Sequence, residues 1–236
     1  MPLRKATGNM YGFVTHIWNP VKGKCGYDCS YCYVKKIFKR FGKQQEEPYL
    51  DEKELYALNV RGGYVFVCSS CDLFHDDIPS EWIRKVRSVT EDNPAFDNRY
   101  LWHTKNPKRA LEFQDRFGDN DILCVTIESN YGIWGDRGLY AIKYSEAPSP
   151  EERFEAIRMW KKPWMLTIEP VMDFDLHSFT YKIYENMPVQ VNIGADSGRN
   201  NLPEPSPEKL RELIGWLESK GVAVHRKKNL GRLLSK

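Results

Sequence analysis

The sequence predicts an α/β fold with a parallel sheet, a partial (β/α)6-type TIM barrel open on one side, over a single domain of residues 1–236. Three observations predict it. Short apolar, β-branched runs alternate with helical patterns, which implies right-handed βαβ units. Side chains on the later strands alternate apolar and polar. No apolar run approaches the ~18–20 residues of a membrane span.

Strands are expected near Phe13–Trp18, Tyr64–Cys68, Tyr100–His103, Ile122–Glu128, Met165–Glu169, Val189–Gly194 and Val222–His225. Helices are expected over about 30–41, 79–90, 107–116, 150–161, 175–186 and 207–219. Pro79, Pro107, Pro150 and Pro207 stand where helices can begin, since proline is favoured in the first turn. Gly221 reads as the C-terminal cap of the last helix. Residues 222–236 form a final strand and a basic tail.

Parity separates two architectures. Val125 and Ile127 alternate with Thr126 and Glu128. Leu166 and Ile168 alternate with Thr167 and Glu169. Val191 and Ile193 alternate with Gln190 and Asn192. A doubly wound sheet carries helices on both faces and is apolar on both. A closed eight-stranded barrel fills its interior with branched apolar residues. One apolar and one polar face instead suit an incomplete barrel with helices outside and a polar, ligand-lined inside. Ligands in parallel α/β folds bind at the C-terminal strand ends. The rim is then Asn19, residues 69–75, 104–106, 128–130, 169–170, 195–197 and 226–229.

Composition narrows the class. The chain is 41% hydrophobic and 28% charged, an ordinary globular balance. The N-terminus lacks the apolar core of a signal peptide, so a cytoplasmic location with no membrane association is expected. Net charge is only +3, but residues 1–45 hold nine Lys or Arg against one acid, Asp28. Residues 220–236 hold six Lys or Arg and no acid. If the basic ends meet, they make a face for phosphates. The plainer reading is a solvated basic helix and tail.

Five of the six cysteines fall in two tight groups. In a reducing compartment such groups more often bind metal or do redox chemistry than form disulfides. The segment Cys25-Gly-Tyr-Asp-Cys29-Ser-Tyr-Cys32-Tyr33 follows the first strand and opens the first helix. Three thiolates at C-x3-C-x2-C spacing can each take one iron of a cubane cluster and leave the fourth iron open. Zinc wants a fourth protein ligand, and no nearby His or Cys completes it. Gly26 eases the tight loop, and Tyr33 can shield a cluster from solvent.

This loop resembles that of the radical S-adenosylmethionine (SAM) superfamily. The resemblance implies a [4Fe–4S] cluster on Cys25, Cys29 and Cys32, SAM on the open iron, and a 5′-deoxyadenosyl radical that abstracts hydrogen from a substrate. It also implies a partial barrel and a reductant such as flavodoxin or ferredoxin. A closer resemblance rests on THIWNP at 15–20, residues 25–33, DLFHDDIP at 72–79, WHTKNP at 102–107, IEPV at 168–171, GADSG at 194–198 and KKNLG at 227–231. Their order resembles the phage Gp37/Gp68-like family, a domain of unknown function distantly related to spore photoproduct lyase. The chain departs from that family's pattern in GADSG, where a Gly-Gly-Glu-Ser-Gly run is usual, and in its Cys68 and Cys71 pair.

By the same resemblance, Ser69 and Ser70 fall where the SAM amino group is held, and Glu128, Asn130 and Glu169 where ribose and carboxylate are held. Glu128 and Glu169 can instead pair inside the barrel with Lys105 or Lys227. Cys68 and Cys71 have three readings: ligands of a second cluster with Cys124, a hydrogen-atom donor, or packing residues. His75, beside Asp76 and Asp77, suits proton transfer, or else belongs to an acidic helix start. His103, Lys105, Asn106, Asp196, Ser197 and residues 225–228 face the expected substrate side, His16 and His177 read as structural, and Trp134 as part of a lid. Cys68, Cys71, His75 and Lys105 are the catalytic candidates. The expected substrate is a nucleic-acid base or nucleotide. The competing class is a non-catalytic binding protein stabilised by a metal or cluster.

Overall fold

In chain order the first elements are β1 (Arg4–Lys5), β2 (His16–Trp18), β3 (Val21–Lys22), α1 (Tyr33–Arg40), β4 (Tyr49–Leu50), α2 (Glu52–Leu55), β5 (Tyr64–Val67), α3 (Ser80–Glu91), β6 (Arg99–Thr104) and α4 (Pro107–Leu111). Then come β7 (Asp121–Thr126), α5 (Pro150–Arg158), β8 (Trp164–Ile168), α6 (Leu176–Glu185), β9 (Gln190–Ile193), α7 (Pro207–Ser219), β10 (Ala223–Arg226) and α8 (Gly231–Leu234). This computed structural model describes residues 4–8, 10–91, 97–131 and 144–235.

Eight strands form one sheet in the order β1-β2-β5-β6-β7-β8-β9-β10. The pairs β2–β5, β5–β6, β8–β9 and β9–β10 are parallel, and β1 lies antiparallel on β2. β3 and β4 make a separate antiparallel pair. The chain falls into two compact units. One is Met1–Tyr27 with Cys32–Leu123, and the other is Asp28–Tyr31 with Cys124–Lys236.

All seven expected strands are present, with ends shifted by up to three residues in either direction. Phe13–Thr15 precede β2 rather than belong to it, because Val14 donates its N–H to Tyr11 in a turn. The expected 107–116 helix divides into α4 and a 3-10 turn at Gln114–Arg116, where Phe113 bonds back only as far as Ala110. Pro107, Pro150 and Pro207 each occupy the first helical turn as expected. Each sits behind a capping side chain, Asn106, Ser149 or Ser206. Ser149 and Glu152 complete a reciprocal capping box. Gly221 ends α7 with φ +75°.

In the first unit α3 turns Ile83, Val86, Arg87 and Thr90 inward at helical spacing. The Arg87 guanidinium, though fully buried, is paired. It bonds both carboxylate oxygens of Asp121 at 2.9 Å and lies 4.5 Å from the Trp102 ring and 4.7 Å from Phe117. In the second unit Leu210, Leu213, Ile214 and Leu217 give α7 its buried stripe, and Trp164, Phe154, Phe174 and Phe179 fill the core.

The parity expectation holds in the second unit with one refinement. Cys124, Thr167 and Asn192 do share a face. Cys124 Sγ stands 3.1 Å from Thr167 Oγ1, and Asn192 Nδ2 reaches Thr167 Oγ1 at 3.4 Å and Gln190 Nε2 reaches Asn192 Oδ1 at 2.7 Å. Cys124, Thr167 and Asn192 are buried and bonded to one another. At this depth the polar face is a closed network rather than a surface waiting for ligand.

Candidate active site

The cysteine loop joins the β2 side of the first unit to α1. Cys32 holds extended backbone and caps α1, so the helix starts at Tyr33 and not at residue 30 as the sequence suggests. Gly26 has a different reason from the one expected. The positive φ in this loop belongs to Asp28, at 44°, and Gly26 is not among the glycines with positive φ. A Cβ on Gly26 would stand 2.3 Å from His75 Cε1 and 2.4 Å from Nε2, so glycine is there because the imidazole lies on the loop backbone. His75 also packs on Tyr27, with ring centroids 4.3 Å apart, and its Nδ1 accepts the Asp77 N–H at 3.0 Å.

The middle of the loop belongs to the second unit. There Cys29 Sγ lies 3.1 Å from Ser145 Oγ, and Ser30 donates its N–H to the Tyr144 carbonyl at 2.9 Å. Tyr31 donates its hydroxyl to Glu128 Oε1 at 2.5 Å. The other Glu128 oxygen takes Arg153 Nη1 at 2.8 Å, and both side chains are fully buried. Burial first, and then the Glu128 charge, push the Tyr31 phenol well above its ordinary range, so it remains a donor.

At the C-terminal end of β5, Cys68 has φ +55° and donates its N–H to the Trp18 carbonyl at 2.8 Å. Ser69 gives its N–H and hydroxyl to Asn19 Oδ1 at 2.7 and 3.2 Å, and its carbonyl accepts the Tyr33 hydroxyl at 2.6 Å. The Ser70 hydroxyl is buried with no partner among the described residues. Cys71 Sγ points at the Val21 carbonyl, 3.2 Å away. A hydrogen bond with Cys68, then burial, raise the Cys71 thiol well above its usual pKa. Cys124 lies in the buried network of the second unit, and burial pushes its thiol up to about 12.

Asp72 is structural. Its carboxylate receives the Thr104 hydroxyl at 2.8 Å and the backbone N–H groups of Lys105 at 2.7 Å and Phe74 at 3.0 Å. It thereby fixes the start of the loop carrying His75 and the end of β6 carrying Lys105. His103 sits among Tyr11 and Phe66 rings, which makes it part of an aromatic cluster. Asn130 spends its side chain on Asp175, accepting from the backbone N–H at 3.0 Å and donating to the carbonyl at 3.1 Å. Glu169 pairs with Lys227 at 2.7 Å, the alternative the sequence allows, and Glu128 pairs with Arg153 at 2.8 Å. Gly194 gives Glu169 its seat, since a Cβ there would stand 2.7 Å from Glu169 Oε1. Trp134 lies outside the described residues.

Sequence reasoning misses Arg153, Ser145 and the role of Tyr31. Arg153 carries no local signal, being one charge among several on a short helix. Among the described residues no three His, Cys, Asp or Glu side chains form a group that could hold a metal ion. The donor set still has the chemistry of a cluster loop. Cys25, Cys29 and Cys32 carry thiols rather than disulfides on one short loop, and Cys25 and Cys32 are partly exposed. The unpartnered Ser70 hydroxyl supplies a hydrogen-bonding group at the adjoining strand end of the first unit. Among the described residues no helix is long and apolar enough to cross a membrane.

Comparison with known proteins follows the same line. A family described as "Protein of unknown function (DUF5131)" matches residues 10–134. No curated protein matches the chain. A solved spore photoproduct lyase, a cysteine-to-alanine mutant with dinucleoside spore photoproduct, is 11% identical, with 93% of this chain and 78% of that one aligned at a TM-score of 0.64. A double mutant of that lyase with bound AdoMet and the same dinucleoside is 13% identical over 79% of this chain and 57% of the other, with a TM-score of 0.57. Streptococcus suis SuiB bound to S-adenosylmethionine is 9% identical over 89% of this chain and 46% of its own, with a TM-score of 0.50. At such identities the likeness is one of fold. These neighbours are radical SAM enzymes, and the eight-stranded sheet matches their partial barrel.

Proposed function

The chain belongs to the DUF5131 family of proteins of unknown function, and from there we propose that it is a radical SAM enzyme acting on a nucleic-acid base or nucleotide. The observation that carries the reading is the C-x3-C-x2-C loop between β3 and α1 of a fold shared with radical SAM enzymes. Cys25, Cys29 and Cys32 would hold a [4Fe–4S] cluster. Held there, such a cluster would supply the one-electron reduction for cleavage of SAM at its C5′–S bond, to methionine and a 5′-deoxyadenosyl radical able to take a hydrogen atom from substrate.

The chain's own residues have distinct tasks in this reading. The unpartnered Ser70 hydroxyl and the Ser69 backbone suit the amino group of SAM. Glu169 is partly exposed and suits ribose hydroxyls, with Lys227 holding its charge. Glu128 and Asn130 have their hydrogen bonds committed within the chain, so SAM contact through them requires those bonds to be exchanged. His75 lays its imidazole on the loop backbone at Gly26, and Lys105 follows the end of β6, held by Asp72, as the second candidate for proton transfer. The Cys68 and Cys71 pair, buried and in thiol form, has the weak S–H bonds a hydrogen-atom donor needs.

The basic ends of the sequence and its aromatic content support the substrate class. The ligand of the spore photoproduct lyase neighbour, dinucleoside spore photoproduct, is of the same class. Kinship with phage Gp37/Gp68-like proteins, a flavodoxin or ferredoxin as reductant and a cytoplasmic location belong to the same proposal.

The test is electron paramagnetic resonance of the anaerobically reconstituted, reduced protein with and without SAM. A [4Fe–4S]+ signal that changes on adding SAM is expected. A signal indifferent to SAM favours the cluster-stabilised binding protein, and zinc in place of iron overturns the reading. Salt-sensitive binding to DNA or RNA tests the substrate class, and no binding at low salt refutes it.

A further inference from the structure

Residues 29–31 are tied down three times in succession. Cys29 meets the Ser145 hydroxyl, Ser30 the Tyr144 carbonyl and Tyr31 the Glu128 carboxylate. The third tie differs from the others in its anchor. Glu128 lies just past the end of β7, and its carbonyl accepts the Met172 N–H at 3.0 Å while Ile127 donates to the Thr167 carbonyl at 2.9 Å. Its carboxylate is therefore fixed to the end of a strand rather than to a loop.

Arg153 makes that anchor ionic. From α5 it donates to the Thr126 carbonyl at 2.7 Å, to the Pro148 carbonyl at 2.7 Å and to Glu128 Oε2 at 2.8 Å. A carboxylate with no exposure stays charged only when paired in this way. A charged acceptor makes a short, strong bond with a phenol, and 2.5 Å lies in the range of such bonds.

We infer that Tyr31 is a positioning residue, whose hydroxyl on the Glu128–Arg153 pair fixes the loop that presents Cys29 and Cys32 to a cluster. The inference rests on the reading of that loop as a cluster loop. Tyr31 is one residue from Cys32 and two from Cys29, so a shift of its ring carries both sulfurs with it. Glu128 is in this view a support for the loop, and Arg153 the group that keeps Glu128 charged.

The test begins with the full chain free of metal. Tyr31→Phe keeps the ring and removes one hydroxyl. Amide hydrogen exchange in residues 28–32 is expected to rise about tenfold, because a hydrogen bond to a charged group is lost, while β8 and β9 exchange as before. Glu128→Gln leaves an acceptor for Tyr31 but strands the buried Arg153 charge, and a rise at least as large is expected. After reconstitution, Tyr31→Phe should lose iron to a chelator about tenfold faster, the same loss of one charged hydrogen bond, and give a broadened signal from the reduced cluster. Tyr184→Phe, on the exposed face of α6, should change neither.

Exchange within about twofold of the wild type in both loop variants overturns the tie itself, since that is far below the loss of one such bond. Faster exchange with unaltered iron release and an unaltered spectrum overturns the positioning role. A wild-type protein that assembles no cluster refutes the proposed function instead, and the exchange result still decides whether the tie exists.

Discussion

Substituting Gly26 by alanine places a methyl group where the His75 ring already is. The new carbon would lie 2.3 Å from Cε1, 2.4 Å from Nε2 and 2.9 Å from Asp77 Oδ2, against a comfortable carbon contact of about 3.5–4.0 Å. The ring cannot simply swing away. It is held by the Tyr27 ring on one side and by the Asp77 N–H at Nδ1. Overpacking of this kind costs about 1–3 kcal/mol, and loss of the Nδ1 bond adds about 1 kcal/mol. Gly26→Ala is therefore expected to lower unfolding stability by about 2–4 kcal/mol. The assay is urea unfolding of the metal-free chain, with His75→Ala and the double variant completing a cycle. Removing the imidazole makes room for the methyl, so the double variant should recover about 1–3 kcal/mol relative to the sum of the singles. Gly26→Ala within about 0.5 kcal/mol of the wild type, or a strictly additive double variant, would refute the claim that the glycine exists for the histidine.

Three other outcomes are expected. Arg153→Ala strands the buried Glu128 charge and should cost about 3–5 kcal/mol in the same unfolding assay, whereas the solvent-facing Arg211→Ala should be close to neutral. Cys124, with its thiol pushed up to about 12 from 9.0, stays protonated in the folded state while the unfolded chain ionises above pH ~9. Its contribution to stability is thus lost as pH rises from about 9 toward 12, on the order of 4 kcal/mol in all, and Cys124→Ala should show a shallower alkaline decline. His225 has its pKa lowered by burial and then by Lys227, so the unfolded chain takes the proton first. Stability should fall as pH drops below about 6.5, and His225→Gln should flatten that slope in a series of thermal melts.

The parts of the fold legible in the sequence are those with local causes. The strands follow from β-branched alternation, and α5 and α7 from a capping serine followed by proline. The C-x3-C-x2-C loop is legible because ligand spacing is a local property. The parts that are not legible depend on partners distant in the chain. The β3–β4 ladder pairs Val21 with Leu50, and two-residue strands leave no periodicity to read. Arg153 reads as one more charge on a polar helix, because its partner Glu128 is 25 residues earlier. The polar parity of Thr167 and Asn192 marks a shared face, but their mutual bonding decides that they are buried network and not ligand lining. Backbone freedom is the ordinary reason for a loop glycine, yet the cause of Gly26 is the space taken by His75, a residue far along the chain.

The buried pair that supports Tyr31 bears on where this chain can be cut. The family match ends at residue 134, which retains Tyr31 and Glu128 but leaves out Arg153. A fragment trimmed to that boundary would keep a carboxylate suited to the interior and discard the guanidinium that neutralises it. Such a fragment would also lack β8 and Met172, which bond the backbone of Ile127 and Glu128, so the end of β7 would lose its neighbour and the carboxylate its buried seat. The family match and the folded sheet therefore have different limits along this chain, and expression of the region should extend through α5 and β8 at least.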